Sequence, residues 1–444
     1  MNTNEPAVAA TQPQISSDVQ PAWPPPKLRA NRRRRLTALA LGVTTLLALV
    51  TVLLVWTPDQ HPGGPVTSVP SRIRVPMPLQ PNLVDAPNGP ASVIVTGPGG
   101  FGAGDSSFDD RAIVVGRDGL YRYVRDVNSV DAGENLLLSV DGRYVAGAAD
   151  LEGVDSRESA RDWESTAGVM DLTTGKVRTY LDGAPVAWSP DGRLLVHASS
   201  GLKLLDIRSG ATVSLGVSGA SVAFSPDGHQ LVLQLGRELN VLNVDTGVVR
   251  TLASLDASQT LAGPGAWRTD GRLAIWNGND CLPACPASFH DLRLSFVDVG
   301  TGALTDGSFD MVRATSARLL GWQTDGDAVV VLSMTSQDPA GPRVGAPQVL
   351  SLHPGGGRAT LVTVTDHANR IDVARNLLDR FGGNPRSTWV MFLDLLRVQL
   401  RQMLPWLAGF AVLIAVAVTF RRIRARVWRW VPRRLRSVPG ATDT

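Results

Sequence analysis

Five aspartates, each followed by glycine, are the residues of this chain that could act together chemically: Asp141, Asp191, Asp227, Asp270 and Asp325. Gathered carboxylates would suit acid–base catalysis or calcium binding. Their spacing argues against both. They recur at intervals of 50, 36, 43 and 55 residues, which is the period of a structural repeat, and Asp-Gly is a pair that tight hairpin turns demand. We read them as turn residues held far apart. His197, His229, His290, His353 and His367 are scattered without metal-ligand spacing, and no Gly-x-Ser-x-Gly, His-Glu-x-x-His or Walker pattern occurs. The residues thus offer no catalytic constellation. A non-enzymatic protein without metal or cofactor is expected.

Cys281 and Cys285 stand in "NGNDCLPACPASFHD". In an oxidising compartment, a pair four residues apart in a Pro-rich loop is expected to close a disulfide. Zinc would need more ligands, and His290 alone brings the set to three.

The elements that carry these residues emerge from the repeat. "PVAWSPDGRLLVHASSGLKLLDIRSG" from Pro185 is answered by "SVAFSPDGHQLVLQLGRELNVLNVDTG" from Ser221. A second turn follows most of the Asp-Gly turns, in "MDLTTGKV", "LDIRSGAT", "LNVDTGVV" and "VDVGTGAL". Each unit reads as strand, Asp-Gly turn, strand, loop, strand, Thr-Gly turn, strand. A four-stranded unit of this size cannot bury its own faces, but several stacked radially bury one another. "AWSPDGR" and "AFSPDGH", each followed by a Thr-Gly-type turn, resemble the WD-like propeller repeats of the TolB type over roughly residues 91–366. That resemblance implies an all-β propeller fold and leaves activity open, because such propellers serve many functions. "RAIVVGRDGLYRYVRD" from Arg111 adds a weaker unit whose first strand would be "SVIVTG" from Ser92. Six blades result, near 91–132, 133–182, 183–219, 220–260, 261–313 and 314–366, with five or seven as alternatives if residues 66–90 close the ring. Trp188, Phe224, Trp267 and Trp322 share one repeat position, a core position before it is a ligand platform.

Two apolar runs flank the repeats. Leu36–Trp56 carries no charge and follows Arg32–Arg35, so it is expected to span a membrane with residues 1–35 cytoplasmic. A cleaved signal peptide is the rival, but no small-x-small site follows the run. Leu404–Phe420 is a second uncharged run, followed by "RRIRARVWRWVPRRLR". Pro405 would open its first turn. Ahead of it, Trp389, Phe392, Leu393, Leu396, Leu400 and Met403 form a helical stripe. That segment would lie on the outer membrane surface or lead into the span, or else pack under the propeller. Charge agrees with this layout. The two tails are strongly basic, whereas residues 57–403 carry 29 basic and 37 acidic residues, which disfavours nucleic-acid binding. The expected architecture is therefore an all-β propeller of about six four-stranded blades flanked by two transmembrane α-helices. A cytoplasmic tail (1–35) and a span (36–56) lead to a linker (57–90) and the propeller (91–366). A juxtamembrane helical segment (367–403), a span (404–420) and an Arg-rich cytoplasmic tail (421–444) follow. Composition, rich in Ala, Gly, Val and Pro with three Lys, suggests a high-GC bacterial genome, and the two apolar runs then place the protein in a bacterial cell membrane.

Three insertions fall between second and third strands, from Asp150, Asn277 and Ser333, and should gather on one face. Long loops on a rigid scaffold are where binding usually lives, although neutral insertion costs little. The candidate contacts are Asp150, Arg161, Trp163, Asn279, Asp280, His290, Gln337 and Arg343. "GPGGFGAGDSSFDD" from Gly97 is expected on the opposite face, as a loop between first and second strands. A protein or cell-envelope partner is expected, in a scaffold or sensor. The alternative is a propeller lyase or hydrolase with a titratable cluster in its channel.

Overall fold

In the computed structural model the Asp-Gly pairs do what their chemistry requires. Gly142, Gly192, Gly228, Gly271 and Gly326 all take positive φ, between 71° and 91°. In each turn the aspartate Oδ1 accepts an N–H two residues on, from Arg143, Arg193, His229, Arg272 and Asp327. Ser139, Ser189 and Ser225 add their hydroxyls to the same carboxylates. The described residues are 68–74, 80–96, 112–124, 136–148, 167–180, 183–198, 200–219, 221–278, 289–338, 341–364, 368, 370–384 and 386–430.

The strands are β1 (Val69–Pro70) and β2 (Arg72–Ile73), then those of the blades. Blade one holds β3 (Ala91–Thr96), β4 (Ala112–Gly116) and β5 (Tyr121–Val124). Blade two holds β6 (Leu137–Leu138), β7 (Tyr144–Ala148), β8 (Ala167–Asp171) and β9 (Lys176–Tyr180). Blade three holds β10 (Ala184–Trp188), β11 (Leu194–Ala198), β12 (Gly201–Leu205) and β13 (Thr212–Ser214). Blade four holds β14 (Ser221–Phe224), β15 (Gln230–Leu235), β16 (Glu238–Asn243) and β17 (Val249–Ser254). Blade five holds β18 (Gln259–Leu261), β19 (Arg272–Asn277), β20 (His290–Asp298) and β21 (Leu304–Asp306), with β22 (Val312–Ala314) also paired to β20. Blade six holds β23 (Ser316–Trp322), β24 (Ala328–Asp338), β25 (Gly341–Leu352) and β26 (Arg358–Val364). β27 (Arg370–Val373), a 3-10 turn (Arg375–Leu377), β28 (Phe381–Gly383) and helix α1 (Thr388–Trp430) end the described chain.

Six sheets make a six-bladed propeller. The cores lie between blades, where Val, Leu and Ile from facing sheets interleave. Trp188, for instance, packs with Val169, Leu194 and Ile207 across blades two and three. Phe224 is buried, and Trp267 and Trp322 are partly so. The shared aromatic position is thus a packing position.

The first blade departs from the sequence reading. Its innermost strand is not the run from Ser92. It is β27, whose Arg370–Val373 pairs antiparallel with Thr96–Val93. The chain's late residues close the ring on its early ones, so the propeller does not end at residue 366. Residues 370–383, expected in the juxtamembrane segment, belong to it. The linker is also structured in part. β2 pairs with β26 as a fifth outer strand of blade six, and β1 pairs with β28.

The remainder of the juxtamembrane segment, from Thr388, and the apolar run are one helix, α1. Pro405 lies inside it rather than in its first turn, because the helix already begins at Thr388. Among the described residues α1 is the one helix long and apolar enough, by length and composition, to cross a membrane. Leu36–Trp56 lies outside the described residues, so a second flanking span is not part of the observed fold.

Candidate binding face and clefts

Chain order within a blade decides where each connection lies. Turns joining first to second and third to fourth strands share one face, here the turn face. Connections joining second to third strands share the opposite face with the blade-to-blade crossings. By this count the connection of residues 97–111 runs from β3 to β4, a second-to-third connection. It belongs with the other insertions, not opposite them. The sequence had assigned it to the wrong face because the first strand of its blade is supplied from the far end of the chain.

The insertions therefore number four, on blades five, six, one and two, which are consecutive around the ring. Blades three and four have short connections there, Ala198 to Gly201 and Leu235 to Glu238. The four segments 97–111, 149–166, 278–289 and 333–347 hold eleven Asp/Glu against four Arg. The segment from Ser333 is not a loop. β24 and β25 stay paired through Ser336↔Arg343 and Gln337↔Pro342 out to Asp338↔Gly341, so Gln337 and Arg343 sit on an extended hairpin. His290 opens β20 opposite Ala314 of β22. Asp150, Arg161, Trp163, Asn279, Asp280, Cys281 and Cys285 lie outside the described residues.

The ring axis is stitched by charge. Arg318 of β23 donates to the Ile371 carbonyl at 2.8 Å and lies 3.3 Å from Asp372. Asp372 also accepts the Leu138 amide at 3.0 Å, so blades six, one and two are tied together. Just past β27, Arg375 donates to the carbonyls of Trp188 (2.7 Å) and Pro264 (3.3 Å), on blades three and five. Burial pushes its guanidinium pKa down, with Asp372 opposing and Arg318 adding. Asn376 donates its amide to Val140, Gln323 reaches the Leu378 carbonyl, and Thr324 binds Asp379. Residues 374–379 thus lie across the turn-face mouth of the channel.

A serine, an aspartate and a histidine do meet in blade six, but in the wrong order for a nucleophile. Ser351 Oγ is 2.8 Å from Asp327 Oδ2 and 3.1 Å from Gln323 Oε1, and His353 Nδ1 pairs with the same aspartate. The carboxylate stands between hydroxyl and imidazole, so the imidazole cannot take the serine proton directly. Among the described residues no group of three His, Cys, Asp or Glu could hold a metal ion.

A cleft of about 330 Å³ opens between blades two and three on the turn face, lined by Arg143, Lys176, Arg178, Arg208, Asp171 and Tyr180 among others. Arg143 pairs with Asp171 at 2.9 Å. Burial works to raise the Asp171 pKa, but the Arg143 guanidinium and the Thr173 hydroxyl and amide outweigh it and hold the carboxyl below its usual range. Arg178 and Tyr180 both donate to the Ile207 carbonyl, at 3.2 and 2.8 Å. Sequence reasoning missed this cleft, because its cations come from two repeats and each looks like ordinary surface charge.

α1 begins on the flank of blade one. Met391, Leu395 and Val398 are buried there. Asp394 reaches Arg122 of β5 at 2.7 Å, with side chains 16% and 4% exposed. Arg122 also donates to the carbonyls of Ala86 and Tyr121, and Arg386 donates to Asp118. Of the expected stripe, Trp389, Phe392, Leu393, Leu396 and Met403 are exposed and Leu400 is half-buried. The docked face is the complementary set, and the packing is against the propeller's side.

The chain is thus a six-bladed β-propeller whose blades carry a recurring pair of turns, Asp-Gly and Thr-Gly in type. No protein-family model matches it, and neither does any curated protein. Solved structures do. A protein described as a TolB from Agrobacterium tumefaciens is 13% identical, over 61% of this chain and 88% of that one, with a TM-score of 0.36. An oligogalacturonate lyase from Vibrio parahaemolyticus is 12% identical over 64% and 90%, with a TM-score of 0.33. An auxiliary nutrient binding protein from Bacteroides thetaiotaomicron is 10% identical over 61% and 64%, with a TM-score of 0.35. Likeness at this level concerns the chain path and not the chemistry.

Proposed function

We propose that this protein is a non-enzymatic bacterial membrane protein whose extracytoplasmic propeller binds a protein or cell-envelope ligand. The observation that carries this reading is the grouping of four insertions on consecutive blades of one face, with two-residue connections on the rest. A surface elaborated on one side of a rigid ring is how loop-borne binding is usually built. The apolar part of α1, followed by eight Arg between residues 421 and 444, supports a span with a cytoplasmic C-terminus. The uncharged run at Leu36–Trp56 after four arginines supports a second span and a cytoplasmic N-terminus. Both together leave the propeller outside, where Cys281 and Cys285 would pair.

The test exchanges residues 150–166 and the hairpin extension 334–345 for two-residue turns. In-cell crosslinking then compares this variant with the full chain. A partner held by the full chain and lost from a still-folded variant supports the reading, and equal capture by both refutes it. The rival reading, a propeller lyase or hydrolase, would seat its chemistry near Arg318 and Asp372. Turnover of an envelope glycan that survives the loop exchange and vanishes in Asp372→Asn would favour it.

A further inference from the structure

The cleft between blades two and three lies on the face opposite the insertions, and the function proposed above makes no use of it. Its charge is out of character. Residues 57–403 as a whole carry more acid than base, yet Arg143, Lys176, Arg178 and Arg208 line this cleft together with one carboxylate, Asp171. That carboxylate is already spent on Arg143. Asp206 accepts the Arg208 backbone amide and offsets part of that residue's charge, leaving a clear positive excess over the cleft. The walls are also built. Arg178 and Tyr180 are anchored to one carbonyl, and Tyr144 is stacked on the buried Trp188 with ring centroids 6.1 Å apart. Anchored cations lose less freedom on binding than free ones, and guanidinium groups suit the bidentate geometry of oxyanions. The volume, about 330 Å³, is at the lower end of ligand sites and admits one sugar ring with its charged group. Tyr180 supplies aromatic surface for the ring, whereas Tyr144 is stacked on Trp188 and carries the Arg143 guanidinium 5.1 Å from its ring centroid.

We propose that this cleft binds an anionic saccharide unit, a single sugar bearing phosphate or a comparable dianion. The phosphate meets Lys176, Arg178 and Arg208, and the ring lies against Tyr180. The site is separate from the insertion face and can be occupied while that face holds a partner.

The experiment is calorimetric titration of the full-length protein in detergent and phosphate-free buffer, with glucose 6-phosphate, inorganic phosphate and glucose in turn. The expected result is saturable binding of glucose 6-phosphate, weaker binding of phosphate and none of glucose. Raising the salt should weaken the affinity. Lys176→Glu and Arg208→Glu, both on exposed side chains, should each weaken binding about tenfold or more, by the loss of one charge-assisted contact. Their melting temperatures should stay at that of the parent. Equal binding of phosphate and glucose 6-phosphate would overturn the saccharide assignment. No binding of either, or binding indifferent to both reversals, would overturn the site.

Discussion

Arg122 and Asp394 are 272 residues apart in the chain and 2.7 Å apart in space. The pair joins the outer strand of the first blade to the second turn of the terminal helix, and little of either side chain is exposed. A charge pair taken out of water adds little over an apolar pair of similar shape, but removing one member strands the other. The guanidinium has two carbonyl partners besides, so it is fixed in place whether or not the carboxylate arrives.

Asp394→Ala should therefore cost about 3 kcal/mol, with the loss confined to the helix dock. Hydrogen exchange across residues 388–398 is the measurement, and it should quicken well before the blades do. The double variant Arg122→Met with Asp394→Leu should recover most of the protection. If the single change leaves exchange untouched, the pair does not hold the helix.

Ring closure by β27 gives a sharper test of where the domain ends. A chain stopped after residue 366, the boundary its repeats suggest, lacks the inner strand of blade one and the stitch through Arg375. A chain stopped after residue 384 keeps both. The shorter form should lose cooperative thermal unfolding, and the longer should keep it, as followed by circular dichroism.

Two glycines in equivalent turns should respond differently to alanine. Gly142 has φ +71°, and a Cβ there would stand 2.0 Å from the Ala91 carbonyl oxygen. Gly192 has φ +85° with nothing within 4 Å. Gly192→Ala should cost only the left-handed strain, about 1–2 kcal/mol. Gly142→Ala should cost clearly more, because two blades must part to admit the methyl. Equal losses of melting temperature would contradict this packing.

Acid should unfold the propeller from its turns. Asp206 is held below the usual carboxylate range by the Arg208 amide and Ser209, Asp227 by the Ser225 hydroxyl and the His229 amide, and Asp298 by the Thr301 hydroxyl and amide. Each group binds its proton less readily folded than unfolded. Its contribution is complete above the ordinary value of about 3.9 and is lost as pH falls through the folded one. Melting temperature should be level between about pH 5 and 8 and fall below about pH 4. A decline beginning near pH 6.5 would point to histidine instead.

The repeats were legible because their turns are written in residue types with few substitutes. Asp-Gly at positive φ and a carboxylate two residues before its amide donor leave a local mark. β27 has no such mark. "RIDV" is an ordinary four-residue strand, and its partner lies some 270 residues away, so only the closed ring reveals it. Missing it shifted blade one by a strand and sent the Gly97 connection to the wrong face. β1 and β2 are two residues each and too short for any period to register. On the terminal helix two apolar stripes compete, and Asp394 reads as a polar-face residue until Arg122 is seen beneath it. Of the cleft cations, Arg143, Lys176 and Arg178 come from blade two and Arg208 from blade three, a grouping that the fold makes and no pattern along the chain foretells.

α1 runs without a break from its docked turns into its apolar length, and Pro405 sits at the junction, where its missing N–H and its ring bend a helix. Forty-three residues form one helix, about 65 Å long at the usual rise, clamped to the ring near one end. A flexible tether would let the ring swivel and average its orientations. A clamped helix instead makes the ring the load at the end of a lever. Tilting the apolar length carries the ring with it, and turning the helix about its axis sweeps the insertion face through an arc. Whatever grips the far end of this helix therefore steers where the insertion face points.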